Sequence, residues 1–123
     1  MALTKSAQTP QASTSCAAGG TVNGSGLPIN YGVSGVAVVT NGPSGPTTGC
    51  ALYLQFSADN SAWTQPVLVG IADTAANAVA AIPFAVAAPG AGGDWAYYRT
   101  TFSGNSGQAV TVQAVASTTT SLT

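Results

Sequence analysis

Cys50-Ala51-Leu52-Tyr53-Leu54-Gln55-Phe56-Ser57 alternates without a break: Cys50, Leu52, Leu54 and Phe56 share one face of an extended chain, and Ala51, Tyr53, Gln55 and Ser57 share the other. A helix would need apolar residues three and four apart, so period two identifies a strand with one buried face. Ala58-Asp-Asn-Ser61 then offers a turn, because Asp and Asn side chains can bond the backbone two residues on. Residues 63–71 resume the extended pattern and are expected to return antiparallel as a hairpin, with Pro66 marking an edge or a bulge.

The same reading extends in both directions. Upstream, 33–40 is a Val-rich strand closed by the breaker-dense loop Asn41-Gly-Pro-Ser-Gly-Pro46. Downstream, 72–81 is ambiguous, since Asp73 could cap an Ala-rich helix. The series Ala80, Ile82, Phe84, Val86 runs at period two straight through Pro83, which favours a loop to Asn77 and a strand over 78–86. A flexible link over 89–94 leads to an aromatic strand at 95–102. Ser103-Gly-Asn-Ser-Gly107 has hairpin chemistry, and 108–116 closes the series with Val110, Val112, Ala114 and Ala116 on one face.

Six strands, with one more at the edge around 11–17, predict an all-β chain. The expected architecture is a single antiparallel β-sandwich of about six to seven strands, Ig-like or jelly-roll-like. It divides into an extended N-terminal arm over 1–28, a sandwich over 29–116 and a tail over 117–123. Deleting 1–11 is expected to leave the sandwich folded and weaken assembly, with the arm completing a neighbour's sheet.

The 123 residues suffice for one core. Charge is the anomaly. Ordinary domains carry about 25% Asp, Glu, Lys and Arg; here the share is 4%, namely Lys5, Arg99, Asp59, Asp73 and Asp94. Two cations cannot form the basic stripe that phosphates or an anionic membrane require, so neither nucleic acid nor membrane is expected as a partner. The first residues hold no apolar run of the secretory kind, and no stretch is long enough for a helical membrane span, which reads as a protein made in the cytoplasm.

Histidine is absent, and the three Asp lie apart in sequence with no Glu. Neither a His-based nucleophile nor a paired-carboxylate site can be assembled from that inventory. Two thiols fall short of a zinc set, and Gly90-Ala-Gly-Gly93 lacks the helix and lysine of a phosphate cradle. No enzyme, cofactor or metal is expected. Whether Cys16 and Cys50 form a bridge is left open by the sequence.

The chemistry that remains is aromatic. Trp63, Trp95, Tyr53, Tyr97, Tyr98 and Arg99 are the candidate interface residues. Tyr53 and one of Tyr97 or Tyr98 point away from the core face. Arg99 shares a face with Trp95 and Tyr97, and can stack on an aromatic ring or pair with Asp94. The alternative is structural, with Trp95 capping the sandwich and Trp63 packing beneath the Asp59 turn.

Two segments resemble a family: Leu52-Tyr-Leu-Gln-Phe-Ser-Ala-Asp-Asn-Ser-Ala-Trp63, and Trp95-Ala-Tyr-Tyr-Arg-Thr-Thr-Phe-Ser-Gly-Asn-Ser-Gly-Gln-Ala-Val-Thr-Val112. Across 50–116 the chain resembles the small β-sandwich virion proteins of tailed bacteriophages. That resemblance implies a non-enzymatic virion component, foremost a capsid decoration or cement subunit. Its partners would be further copies of itself and a major capsid or other virion protein, and its location the virion, assembled in the host cytoplasm. A neck or tail component, or a carbohydrate- or receptor-binding module using the Trp and Tyr residues, are the alternatives.

Overall fold

The computed structural model describes residues 3–87 and 95–122. Among the described residues nine strands form: β1 (Leu3–Cys16), β2 (Thr21–Asn23), β3 (Leu27–Pro28), β4 (Val33–Asn41), β5 (Ala51–Ser57), β6 (Val67–Ile71), β7 (Val79–Val86), β8 (Tyr97–Ser103) and β9 (Val110–Leu122). They build two antiparallel sheets packed as a sandwich. The first runs β1-β9-β4-β7 and the second β2-β8-β5-β6, with β3 also pairing β8. Among the described residues there is no helix, so 72–81 is a loop leading into a strand. That loop is held by Asn41, whose Nδ2 donates to Asp73 O at 3.0 Å and Ala75 O at 2.9 Å.

Alternation selects the core. Leu52 and Leu54 of β5 and Tyr98 and Phe102 of β8 face Ala37 and Val39 of β4, Val112 and Ala114 of β9, and Ile82 and Phe84 of β7. The second sheet supplies bulk while the centre of the first supplies small residues, which lets the layers interdigitate. The Phe84 and Tyr98 rings bridge them, with centroids 6.3 Å apart and planes tilted by 49°.

The N-terminal segment expected as an arm is paired along its length. Cys16 lies opposite Val110, and the register continues to Leu3 opposite Leu122. Further on, Thr21–Asn23 and Leu27–Pro28 add to the edge of β8. Residues 117–122, read as a tail, are the far half of β9. Both segments are rich in Ser and Thr and lack an apolar alternation, so beyond the edge strand expected around 11–17, which is the second half of β1, neither announces a strand alone. Each becomes one because the other completes its backbone hydrogen bonds.

The loop after β8 also departs from expectation. It is not a hairpin: β8 belongs to the second sheet and β9 to the first, so Ser103-Gly-Asn-Ser-Gly107 crosses the sandwich. Asn105 makes the crossing possible. It is buried, and its Nδ2 donates to Cys16 O at 3.2 Å and Gln108 O at 3.0 Å. Its Oδ1 accepts from the Cys16 thiol at 3.3 Å. Cys16 and Cys50 are both free and buried. Burial pushes the Cys50 thiol up to about 12 and raises Cys16 as well.

The 63–71 run is a strand only from Val67, just after Pro66. It forms the expected antiparallel hairpin with β5, at the edge of its sheet and with a bulge beside Leu52 and Tyr53. Pro83 sits in β7, the edge of the first sheet, where a missing donor is tolerated. The link expected at 89–94, with Asp94, lies outside the described residues.

Candidate interaction surface

The outer face of the second sheet is set by its register. Gln55 pairs with Arg99, Tyr53 with Thr101, and Ser57 with Tyr97, so these side chains share one side. Gln55 is the hub. Its Oε1 accepts from Arg99 Nε at 2.9 Å and Thr101 Oγ1 at 3.1 Å, while its Nε2 donates to Thr64 O at 2.8 Å. Arg99 is further placed over the Trp63 ring, 4.6 Å from its centroid. Cation–π contact and a hydrogen bond thus fix the guanidinium on one rigid site.

Beside this lies the Asp59 turn. Asp59 Oδ1 accepts from Ser57 Oγ at 3.0 Å and from the Ser61 and Ala62 amides, each at 2.9 Å. Those amides, Ala62 first, hold the exposed carboxyl below the usual carboxylate range. Asn60 takes a positive φ of 61°, which an Asn accepts more readily than most residues. The turn, Trp63, Thr64 and Trp95 line an open cleft of about 320 Å³.

Five of the six residues singled out by sequence therefore gather on one side: Tyr53, Tyr97 and Arg99 on the sheet face, Trp63 beneath Arg99, and Trp95 across the cleft. Tyr98 does not join them. It points inward from β8 and is fully buried, its phenol raised by burial. Period two requires that split between adjacent tyrosines, Tyr97 out and Tyr98 in.

The outer face of the first sheet was not singled out by sequence. Its rows read Val79, Thr40, Thr111; Ala81, Val38, Gln113; Pro83, Val36, Val115; and Ala85, Ser34, Ser117. No charged side chain stands among them, and Lys5 lies only at the margin, lining a depression with Ser34, Ala85 and Ser117. Val79 is 65% exposed and Val115 42%. The apolar half of an outward alternation is hard to read as surface, because Val36 and Val38 look like core residues until the register is known.

No protein-family model and no curated protein matches the chain. Solved structures do. The structure of infectious bursal disease virus, Gx strain, superposes with a TM-score of 0.62 at 12% identity over 94% of this chain and 32% of that one. The VP2 subviral particle of the same virus gives 0.57 at 8% identity, over 96% and 33%. T=1 particles derived from infectious bursal virus give 0.57 at 9% identity, over 96% and 32%. The chain has a β-sandwich fold found in viral capsid proteins. It spans about a third of the length of those chains, and at such identities the likeness is one of fold. Among the described residues, no group of three or more His, Cys, Asp or Glu side chains could hold a metal ion, and no helix is long and apolar enough to cross a membrane.

Proposed function

We propose that the chain is a non-enzymatic structural protein of a virus particle, packed in many copies on the particle surface as a capsid decoration or cement subunit. The observation that carries this reading is the outer face of the first sheet. Three adjacent strands present small, uncharged and partly apolar side chains where a free sandwich normally places Lys, Glu and Thr. A flat face of this kind suits permanent cover, because burying it strands no charge. The capsid-protein fold supports the virion setting. The resemblance of 50–116 to tailed-phage virion proteins supports a bacteriophage particle, in which the chain would bind its own copies and a major capsid protein.

Replacing Val36 and Val115, which are cross-strand partners on that face, by Lys tests it. Both side chains point outward, so the fold should survive. Co-sedimentation with capsids, and self-association by analytical ultracentrifugation, should both fall at least about tenfold if even one charge is buried unpaired. Wild-type protein that stays monomeric and ignores capsids would overturn the reading. Copy number in purified particles separates the settings: several per capsomer means decoration, and a single small ring means neck or tail.

A further inference from the structure

We propose that the cleft between Trp63 and Trp95 is a binding site for a neutral sugar ring at the end or side of a glycan, a function separate from particle building. Trp95 is the first reason. It is 40% exposed and stands outside the buried core cluster, beside Ile29, Phe56 and Val86 at the end of the sandwich, whereas an indole in a sandwich of this size is normally more buried. It shares the cleft with the chain's one other tryptophan, Trp63. Two indoles in one recess offer apolar faces for the C–H side of a pyranose, which has hydroxyls around its rim.

The rim chemistry is present. Asp59 Oδ1 is fully engaged by the turn, and among the described residues Oδ2 makes no hydrogen bond, leaving an acceptor for sugar hydroxyls at the mouth of the cleft. The Trp63 wall is held in place. Arg99 fixes one side of Trp63, and a Cβ on Gly26 would stand 2.9 Å from the ring's Cη2 and Cζ2, so glycine is required for the backbone to pass. A preformed site loses little ordering entropy on binding.

Charge narrows the ligand. Asp59 repels phosphate, sulfate and acidic sugars, and the Arg99 guanidinium stacked on Trp63 offsets the pull of Asp59 on a quaternary ammonium. A neutral polyol is repelled by neither. The volume, about 320 Å³, lies at the small end of ligand pockets, which run from about 300 to 1,000 Å³, and suits one ring rather than an extended oligosaccharide.

Because the chain holds two tryptophans and both line the cleft, its intrinsic fluorescence reports the site directly. The experiment titrates full-length protein with the methyl glycosides of glucose, galactose, mannose, N-acetylglucosamine and N-acetylgalactosamine. A saturable change with a Kd of about 1–10 mM is expected for at least one, the range of a single weakly held ring. Trp95→Ala should abolish it, and Ala62→Leu, which fills the cleft while keeping both indoles, should weaken it at least about tenfold. Asp59→Asn should weaken binding severalfold. Saturation-transfer NMR on the same samples reads the sugar's own protons. The proposal is overturned if no glycoside saturates by about 100 mM, well above the expected Kd, or if Ala62→Leu binds as the wild type does.

Discussion

The Tyr98 phenol donates a 2.6 Å hydrogen bond to Gln8 Oε1, tying the central strand of the second sheet to the edge strand of the first. Gln8 also donates through Nε2 to Pro28 O at 2.9 Å. One side chain in the segment that looked like a free arm thus satisfies a buried hydroxyl and a carbonyl that enters the fold from the opposite sheet. Together with the β1–β9 ladder, it makes the N-terminal segment a structural part of this chain's own sandwich. The surface available for assembly is then the outer faces more than a swinging arm.

Gln8→Ala should leave the Tyr98 hydroxyl buried without its partner, at a cost of about 1–3 kcal/mol. Tyr98→Phe in the same background removes that stranded group and should recover part of the loss. Urea denaturation of the two single variants and the double variant measures the coupling; strict additivity would show that the bond contributes nothing. Deletion of 1–11 removes most of β1's pairing with β9 as well, and is expected to lower stability by more than Gln8→Ala does.

Alkaline pH should unfold the protein through its buried acids. Cys50 is raised to about 12 and Tyr98 is raised above its ordinary value, both by burial, while the unfolded chain titrates near about 8.5 and 10 respectively. The folded state therefore holds its protons longer. Its stability is intact below about pH 8.5 and is lost as pH rises towards the folded values. Thermal melting from pH 7 to 11 should show a plateau and then a decline. A Cys50→Ala variant, less stable throughout, should decline less steeply below the tyrosine range, with the raised Cys16 thiol keeping part of the slope. A decline of the same steepness in both proteins would remove Cys50 from the account.

The sandwich was legible wherever strands have one buried face. β4, β5, β7 and β9 show period two in Val, Leu, Ile, Phe and Ala, and each lies within a few residues of its expected start. Of β1 only the stretch from Gln11 was expected as a strand; its first half and the end of β9 were not legible. Their partners stand at opposite ends of the chain, and Thr-Ser pairs such as Thr4 with Ser121 or Ser6 with Thr118 carry no local signal. The crossing of 103–107 was hidden for another reason. A Gly-Asn-Ser-Gly sequence suits a hairpin equally well, and only the burial of Asn105 decides otherwise. At the aromatic site, residue types identified Trp63, Tyr53 and Arg99, but which tyrosine of the Tyr97–Tyr98 pair faced out needed the register with β5.

Asn105→Ala should be among the more damaging single changes in a loop. It removes donors to Cys16 O and Gln108 O and the acceptor for the Cys16 thiol, all in a buried corner. Unsatisfied buried carbonyls cost about 1–3 kcal/mol each when water cannot reach them, so a loss of at least about 2 kcal/mol is expected. Asn105→Asp keeps the shape but loses the amide donors, and should be equally destabilising at neutral pH. Chemical denaturation of the three proteins settles it; a loss under about 0.5 kcal/mol, the range of an ordinary surface substitution, would show that the crossing does not depend on this side chain.

Gly35 and Phe84 are cross-strand partners in β4 and β7, and the space a Gly35 side chain would fill is taken by the Phe84 ring. A Cβ there would collide with Phe84 Cζ and stand 2.8 Å from Val115 O, so the ring lies over bare backbone and covers the glycine's missing side chain. Gly35→Ala should therefore destabilise by about 1–3 kcal/mol through overpacking, despite alanine's better fit to an ordered strand. Phe84→Leu alone should cost a similar amount, because it opens a void against Tyr98. The double variant is the decisive measurement. If steric competition for one space is the cause, the two losses should fall short of adding by at least about 0.5 kcal/mol, since a methyl then occupies part of what the ring vacates. Full additivity would place the strain of Gly35→Ala on the Val115 carbonyl instead.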